Sequence, residues 1–494
     1  MRSTPGFSFS TKSGMEYFYS DQSGLVFPIS NSEAEIPQSA SFRMIDNKKS
    51  MLQPRIAQRE ERFHAYTAKE EVADFTKKFT IDSLTREIEK FGYRHLYLIV
   101  TNACNLRCKY CIFSENYPYT EARAGNSRMS KATAKKAVDL YLSKIRKIRE
   151  YKKERPIIIT FYGGEPLLNY SVIKYVIEYV NSLNMENIIF SLTTNGVLLN
   201  EERIDFLVSN NVSIGISLDG PKEEHDRNRV FEGGKGSFDS VYKKLSLLWK
   251  KYPHYQYLTF LVTYDTAMDL ESLRAFFGNE TRFNKSLFLF SHVQFNFTDY
   301  YQNIDKSLHK RFSETFYRFN DELITSDKQL SDYDALMRYM IGIPLYLLSN
   351  RRIIQSIGRP GIPFTRTCLP GDKIAVTPKG DLEVCEKAPG MKIGTVAQGL
   401  DYHLILKIID QYNAKITSQC QNCNIKRLCE TCFATFWKGD GFEFPGKDFC
   451  QEAAEKMKSS FSTLYSLLEE NPDFFEMIEE KTPVAWKRLT ETNI

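Results

Sequence analysis

Histidine, tryptophan and net charge are scarce in this chain, and each shortage removes a class of function. Seven histidines and three tryptophans stand among 494 residues. The net charge of +5 is slight for such a length, and no basic–aromatic strip stands out, so no nucleic-acid partner is expected. The densest basic run, Lys144 to Arg155, is interleaved with Ile145 and Ile148 at helical spacing. It reads as a solvated helix face or as a dock for an acidic partner. Long apolar runs are missing too. Arg94–Thr101 and Tyr339–Leu348 are strand- or core-length, well short of the ~20 residues of a membrane span. Met1 to Ser20 lacks an apolar stretch behind a charged one, so no secretory signal is read there. A cytoplasmic location is the default expectation. In that reducing compartment ten cysteines read as metal ligands or catalytic thiols before disulphides. No internal repeat and no low-complexity tract occur.

What is present divides into segments. The chain is 42% hydrophobic and 26% charged, ordinary for a globular protein of two or three domains. Residues 1–92 read as a small α+β unit. Runs Glu16–Ser20 and Leu25–Ser30 flank Asp21-Gln22-Ser23-Gly24, a hairpin signal. Ser41–Ile45 is a candidate third strand, and Lys69 to Phe91 is helical in pattern. Residues 93–300 alternate strands and helices. The strands are Leu96–Val100, Ile157–Phe161, Ile188–Leu192, Val212–Leu218, Tyr257–Val262 and Leu287–Phe295. One intervening helix starts at Ser130 as N-cap and carries Ala134, Val138, Leu142 and Ile145. Six β–α units in a row predict an α/β fold with a parallel sheet, open or curled into a partial barrel, whose loops at the strands' C-terminal ends build the active site. Residues 301–360 read as a helical bridge. Residues 361–452 hold seven cysteines among Gly, Pro and polar residues, the composition of a small domain held by metal rather than by an apolar core. Residues 453–494 form a helical tail with Met457, Phe461, Leu464 and Leu468 on one face.

Cys104, Cys108 and Cys111 form C-x3-C-x2-C directly after the first of the six strands. Three thiolates within eight residues can wrap one face of a [4Fe–4S] cubane and leave one iron open; four would close it. A zinc site with a distant fourth ligand is the alternative, although no histidine lies at zinc-finger spacing from these cysteines. The stretch Thr101-Asn-Ala-Cys-Asn-Leu-Arg-Cys-Lys-Tyr-Cys111 closely resembles the signature of the radical S-adenosylmethionine (SAM) superfamily, and the resemblance extends over most of residues 94–300. Gly163-Gly164-Glu165-Pro166 resembles the family's motif for the SAM amino group. Thr194-Asn195-Gly196 and Ser217-Leu218-Asp219-Gly220 end the third and fourth strands, where the family places ribose partners, which implies Asn195 and Ser217. In His225-Asp226-x-x-Arg229 the resemblance implies that Arg229 pairs with the SAM carboxylate, a task suited to a guanidinium fork. Tyr110, before the third cysteine, would cover the cluster or the adenine. The implied chemistry is one-electron reduction of SAM to methionine and a 5′-deoxyadenosyl radical that abstracts hydrogen from a substrate.

The remaining cysteines are Cys368, Cys385, Cys420, Cys423, Cys429, Cys432 and Cys450, with Gly380 five residues before Cys385. Their order resembles the SPASM domain found behind radical SAM domains in peptide- and protein-modifying enzymes. The final interval, C-x2-C in place of C-x3-C, is one residue short and bears on Cys432. The resemblance implies two auxiliary [4Fe–4S] clusters. Cys420, Cys423, Cys429 and Cys450 would ligate one fully. Cys368, Cys385 and Cys432 would hold the other without an evident fourth ligand. The fold so implied is a partial (β/α)6 TIM-like barrel with a small N-terminal α+β unit and a C-terminal Cys-rich iron–sulphur domain. Glu386 follows Cys385 at a position where sulfatase-maturing relatives carry an acidic base, which makes it a candidate base; an ordinary surface glutamate is the other reading.

SPASM-type enzymes act on peptides or proteins, many of them ribosomally made precursors in which thioether or carbon–carbon crosslinks form. The resemblance therefore implies a precursor peptide or protein substrate and an external one-electron donor of flavodoxin or ferredoxin type. Residues 15–91 have roughly the pattern of a leader-recognition element, or of a packing extension over the barrel. Two other functions stay open: a sulfatase-type maturase that oxidises Cys or Ser to formylglycine, and a non-catalytic iron–sulphur or zinc protein. The latter has no use for the Gly-Gly-Glu-Pro motif, Asn195, Ser217 or Arg229.

Overall fold

Strands rich in Ile, Val, Leu, Phe and Thr pair with one another because a pleated surface accepts branched and aromatic side chains that crowd a helix. In the computed structural model, which describes residues 5–21, 24–29, 78–118, 125–302, 304–350, 368–420 and 422–476, three short strands come first: β1 (Gly6–Ser10), β2 (Glu16–Ser20) and β3 (Val26–Pro28). They form an antiparallel sheet of their own. Helix α1 (Ile81–Phe91) follows, opened by a capping box at Thr80 and Ser83. The candidate strand Ser41–Ile45 and the start of the expected Lys69–Phe91 helix lie outside the described residues.

The six expected strands are all present: β4 (His95–Thr101), β5 (Ile157–Gly163), β6 (Ile188–Thr194), β7 (Ser213–Ser217), β8 (Leu258–Tyr264) and β9 (Leu287–His292). They are parallel and stand in chain order, the arrangement of a partial (β/α)6 barrel. Helices α2 (Lys131–Arg149), α3 (Tyr170–Ser182), α4 (Glu201–Ser209), α5 (Lys222–Asn228), α6 (Phe238–Lys251) and α7 (Leu270–Asn279) connect them. Alternation puts Leu96, Leu98, Val100, Ile157, Ile159, Phe161, Ile214 and Ile216 on one face, all fully buried in the core shared with the helices. His95, Tyr97, Thr160, Tyr162, Thr193, Ser217 and Thr263 fall on the opposite face, towards the barrel interior.

After α8 (Lys306–Thr325), a π-helical turn over Met337–Gly342 runs into α9 (Ile343–Ser349). Helix α9 has Pro344 in its first turn, where the missing N–H is tolerated. The cysteine-rich segment departs from expectation. Strand β10 (Lys373–Val376) pairs parallel with β4, Lys373 opposite His95 and Val376 opposite Leu98. β11 (Asp381–Glu383), β12 (Lys392–Thr395) and β13 (Gly399–Leu400) continue the same sheet to ten strands. Helices α10 (Tyr402–Lys415) and α11 (Phe433–Phe436) follow, then α12 (Lys447–Glu470). Val376, Leu382, Ile393, Ile405 and Tyr412 are fully buried in the main cluster. The expectation of a unit held by metal instead of an apolar core is therefore corrected: its strands share the barrel's sheet and core.

The N-terminal sheet packs on α12. Phe7 and Phe9 meet Phe461 at 5.5 Å between ring centroids, Tyr17 meets Tyr465 at 5.1 Å, and the Tyr17 hydroxyl donates to Glu469 at 2.7 Å. Of the basic run, Lys144, Arg149 and Arg155 are engaged by neighbouring groups. Lys144 pairs with Glu89 at 2.6 Å, the Arg149 guanidinium donates to the Arg155 carbonyl, and Arg155 donates to the carbonyls of Phe91 and Gly92. Among the described residues no helix is long and apolar enough to cross a membrane.

Candidate functional site

The loop that leaves β4 carries Cys104, Cys108 and Cys111, and backbone contacts hold it from two sides. On one side the end of β5 grips its start: Gly164 N donates to Thr101 O at 2.9 Å and Glu165 N to Ala103 O at 2.8 Å. Both glycines are required for that approach. A Cβ at Gly163 (φ +138°) would lie 2.1 Å from Thr101 O, and one at Gly164 2.3 Å from Ala103 O. On the other side the end of α5 and the residues after it grip its middle, with Arg107 N donating to Val230 O at 2.7 Å and Lys109 N to Asn228 O at 3.0 Å.

Glu165, expected at the cofactor's amino group, is completely buried. Its carboxylate accepts from Leu167 N at 3.0 Å, Thr194 Oγ1 at 2.7 Å and Asn195 N at 2.7 Å, tying the end of β5 to the end of β6. Burial pushes its pKa up, and the bonds from Asn195 and Leu167 oppose that. Asn195 donates through Nδ2 to Asn105 Oδ1 at 2.9 Å and lies 3.9 Å from Cys104 Sγ, so it faces the cysteine loop. Ser217 ends β7, half-buried.

Arg229 is 6% exposed. One of its terminal nitrogens donates to the Tyr110 hydroxyl at 2.6 Å, and that hydroxyl donates to Asp219 Oδ2 at 2.5 Å. Asp219 Oδ1 accepts from Thr263 N at 3.0 Å. Among the described residues the buried Nε of Arg229 has no partner. His225 supports the same corner. Asp219 N donates to its Nδ1 at 3.3 Å, and Nε2 lies 3.0 Å from Ser237 Oγ, which donates to Arg229 O at 2.8 Å. Burial, with Arg229 nearby, lowers the His225 pKa to about 2. The ring is neutral, and an accepting Nδ1 puts its proton on Nε2. Asp265, at the end of β8, receives both terminal nitrogens of Arg227 at 2.9 and 3.0 Å, the Tyr300 hydroxyl at 2.5 Å and Ala267 N at 2.7 Å. Burial pushes Asp265 up, but the Arg227 fork and the other donors hold it below the usual carboxylate range.

All ten cysteines are half-buried thiols outside any disulphide. Burial pushes Cys104 up to about 11 and Cys111 up to about 12, and raises Cys108 against the pull of Arg229. Such thiols ionise when a metal takes them, so loading releases protons. The three act on one another electrostatically. Among the described residues no three Cys, His, Asp or Glu side chains converge as ligands of a single ion do; a cubane is gripped at separate irons. An all-thiol set with an unpartnered buried guanidinium nitrogen beside it fits a cluster with an anionic small-molecule ligand.

The other seven cysteines fall into two groups. Cys420, Cys423, Cys429 and Cys450 lie within electrostatic reach of one another. Cys432 acts electrostatically on Cys368 and Cys385 instead. Glu386 is 7% exposed, which excludes the reading of an ordinary surface glutamate. It acts on Cys385, Tyr97 and Lys373. The Lys373 ammonium stands 5.9 Å from the centroid of the Tyr97 ring; that phenol and the thiols raise its pKa against burial.

Sequence reasoning missed Asp219, His225 and Asp265 as builders of the site. The first two stand inside motifs that were quoted; Asp265 carried no signal beyond its place at a strand end.

Residues 98–277 match the model of the Radical SAM superfamily. The chain is 33% identical over 180 residues to a cysteine-type anaerobic sulfatase-maturating enzyme of Clostridium novyi, covering 36% of this chain and 46% of that one. It is 30% identical over 200 residues to the sporulation killing factor maturation protein SkfB of Bacillus subtilis, covering 38% and 43%. The chain thus spans less than half the length of these curated relatives. A solved structure, native anSMEcpe with bound AdoMet and Cp18Cys peptide, superposes with a TM-score of 0.53 at 19% identity, over 76% of this chain and 98% of that one. At that identity the likeness is one of fold.

Proposed function

We propose, starting from the radical SAM domain that residues 98–277 form, that this chain is a radical SAM enzyme that modifies a peptide or protein. The observation that carries the reading is the convergence at the ends of β4 to β7 of the three-cysteine loop, its glycine clamp, Asn195, Ser217 and the buried Arg229. Cys104, Cys108 and Cys111 would hold the cluster that binds SAM, and Arg229 would offer its free Nε to the cofactor's carboxylate. Backbone carbonyls at Gly163 and Gly164 would take the ammonium, since the Glu165 side chain is occupied within the protein. When bound, SAM and the clusters supply a 5′-deoxyadenosyl hydrogen-atom acceptor and an electron acceptor. Glu386 would take the proton that leaves the substrate, with Lys373 beside it. Cys368, Cys385 and Cys432 would hold one auxiliary cluster; Cys420, Cys423, Cys429 and Cys450 the other.

Two products fit. A crosslink in a ribosomally made precursor, thioether or carbon–carbon, is supported by the likeness to a killing-factor maturation protein. Formylglycine from Cys or Ser is supported by the likeness to a sulfatase-maturating enzyme and by the buried acid after Cys385. A leader docked on β1–β3 and a flavodoxin- or ferredoxin-type donor complete the proposed partners. The test is anaerobic reconstitution with dithionite and SAM, followed by candidate peptides. Formation of 5′-deoxyadenosine with about twelve irons per chain supports the reading. Zinc in place of iron and intact SAM overturn it. A product aldehyde that reacts with hydrazine marks formylglycine; loss of hydrogen without an aldehyde marks a crosslink.

A further inference from the structure

The N-terminal sheet reaches the four-cysteine group. Asp21, at the turn after β2, is 3% exposed. Its Oδ1 accepts from Arg427 N at 2.9 Å and from the Tyr19 hydroxyl at 3.4 Å. Arg427 lies in the loop between Cys423 and Cys429, and Asn424 in the same loop accepts from Gly6 N at 3.4 Å. Asp21 acts electrostatically on both Cys423 and Cys429. Burial pushes the Asp21 pKa up, the Arg427 N–H bond and the charges of Arg427 and Lys426 oppose that, and Glu430 adds a further negative charge beside Cys429. A buried carboxylate is thus carried some 400 residues along the chain to stand at a metal-ligating loop.

Net charge and hydrogen bonding around a cluster set its potential. We propose that Asp21 is a positioning residue of the four-cysteine site: it seats the N-terminal sheet on the 423–429 loop and keeps the cluster there harder to reduce. The inference rests on the reading that Cys420, Cys423, Cys429 and Cys450 carry an auxiliary cluster. Because the carboxylate belongs to the sheet and the thiols to the loop, anything that displaces the sheet raises that potential, and by reciprocity reduction loosens the sheet.

The test uses full-length protein in which Cys104, Cys108 and Cys111 are alanine, reconstituted anaerobically and followed by iron content and EPR-monitored redox titration. Asp21→Asn keeps an acceptor for Arg427 N but removes the charge; Asp21→Glu keeps the charge. In Asp21→Asn one of the two auxiliary midpoints is expected to shift positive while the other stays, and Asp21→Glu is expected near the native value. Iron lost from the four-cysteine site in Asp21→Asn but kept in Asp21→Glu supports the seating of the 423–429 loop by the carboxylate. Both midpoints unmoved in a fully loaded Asp21→Asn overturn the proposal, as does equal iron loss in the two variants, which marks Asp21 as a packing residue. About four irons in the background protein, one cluster's worth, would remove the auxiliary-cluster reading and this inference with it.

Discussion

Replacing Asp265 by Asn should loosen the cysteine loop from a distance. Asp265 is fully buried as a side chain, and the guanidinium of Arg227 that it neutralises is 30% exposed. Breaking a buried pair by removing one partner costs about 3–5 kcal/mol, because the other charge is stranded. Partial exposure of Arg227 puts the expected value near the lower end, about 3 kcal/mol. At 1.4 kcal/mol per decade that is roughly a hundredfold in a local opening equilibrium. The opening that matters is that of residues 228–231, because Asn228 and Val230 accept from Lys109 N and Arg107 N in the cysteine loop. Native-state hydrogen exchange at those two amides reads it directly; the expected acceleration is about a hundredfold, with strand amides in β5 and β6 unchanged. The pH dependence follows from the sign of the shift. Asp265 has a folded pKa below its unfolded value, so its contribution is complete above about pH 4 and is lost as pH falls through the folded pKa. The difference between native protein and variant should therefore be flat from neutral pH down to that point and shrink below it. Unchanged exchange at Lys109 and Arg107 would refute the reasoning and reduce the Arg227–Asp265–Tyr300 network to a local brace.

Three further outcomes are expected. Changing Cys104, Cys108 and Cys111 together to Ala should abolish 5′-deoxyadenosine formation while about eight of about twelve irons remain; continued SAM cleavage would show the wrong loop was assigned. Gly164→Ala drives a methyl to 2.3 Å from Ala103 O, so iron at the Cys104 site should fall by more than half while the auxiliary clusters stay, as absorbance and iron assays would show. Tyr110→Phe keeps the ring but removes the bridge between Arg229 and Asp219, leaving two buried groups short of a partner at about 1–3 kcal/mol. SAM affinity, measured by calorimetry on the loaded protein, should drop about tenfold; an unchanged Kd would show that Arg229 is placed without the hydroxyl.

The barrel was legible because its six strands are short apolar-rich runs alternating with helical patterns, and each appears within a few residues of its expected limits. The cysteines were legible because thiol spacing is a local property of the chain. The grouping of the thiols was harder: the short interval before Cys432 bore on its placing, and only the folded chain brings that residue within electrostatic reach of Cys368 and Cys385. What escaped the sequence has a common cause, pairing between residues far apart. Nothing local to Lys373-Ile-Ala-Val376 says that it will lie beside β4, since a four-residue apolar strand can join any edge. Strand β1 was missed because Phe7 and Phe9 alternate over too few residues to stand out. Glu165 was read by motif as a cofactor partner, and its tie between the ends of β5 and β6 carried no signal in the sequence.

Because β10 lies in register along β4, a single strand works as a ruler between two thiol sites. The Cys104 loop leaves the top of β4 after Thr101, while Cys368 enters at its foot, five residues before the Lys373 that faces His95. Six strand rises separate His95 from Thr101, on the order of 20 Å. On the proposed reading, a substrate group activated at one end would have to reach the other over that fixed span, past Tyr97 and Thr160 on the interior face. One inserted residue in β4 would lengthen the ruler by about 3 Å and turn every interior side chain beyond it to the other face. The seven residues of β4 are thus a measured gap whose length and register cannot be altered separately.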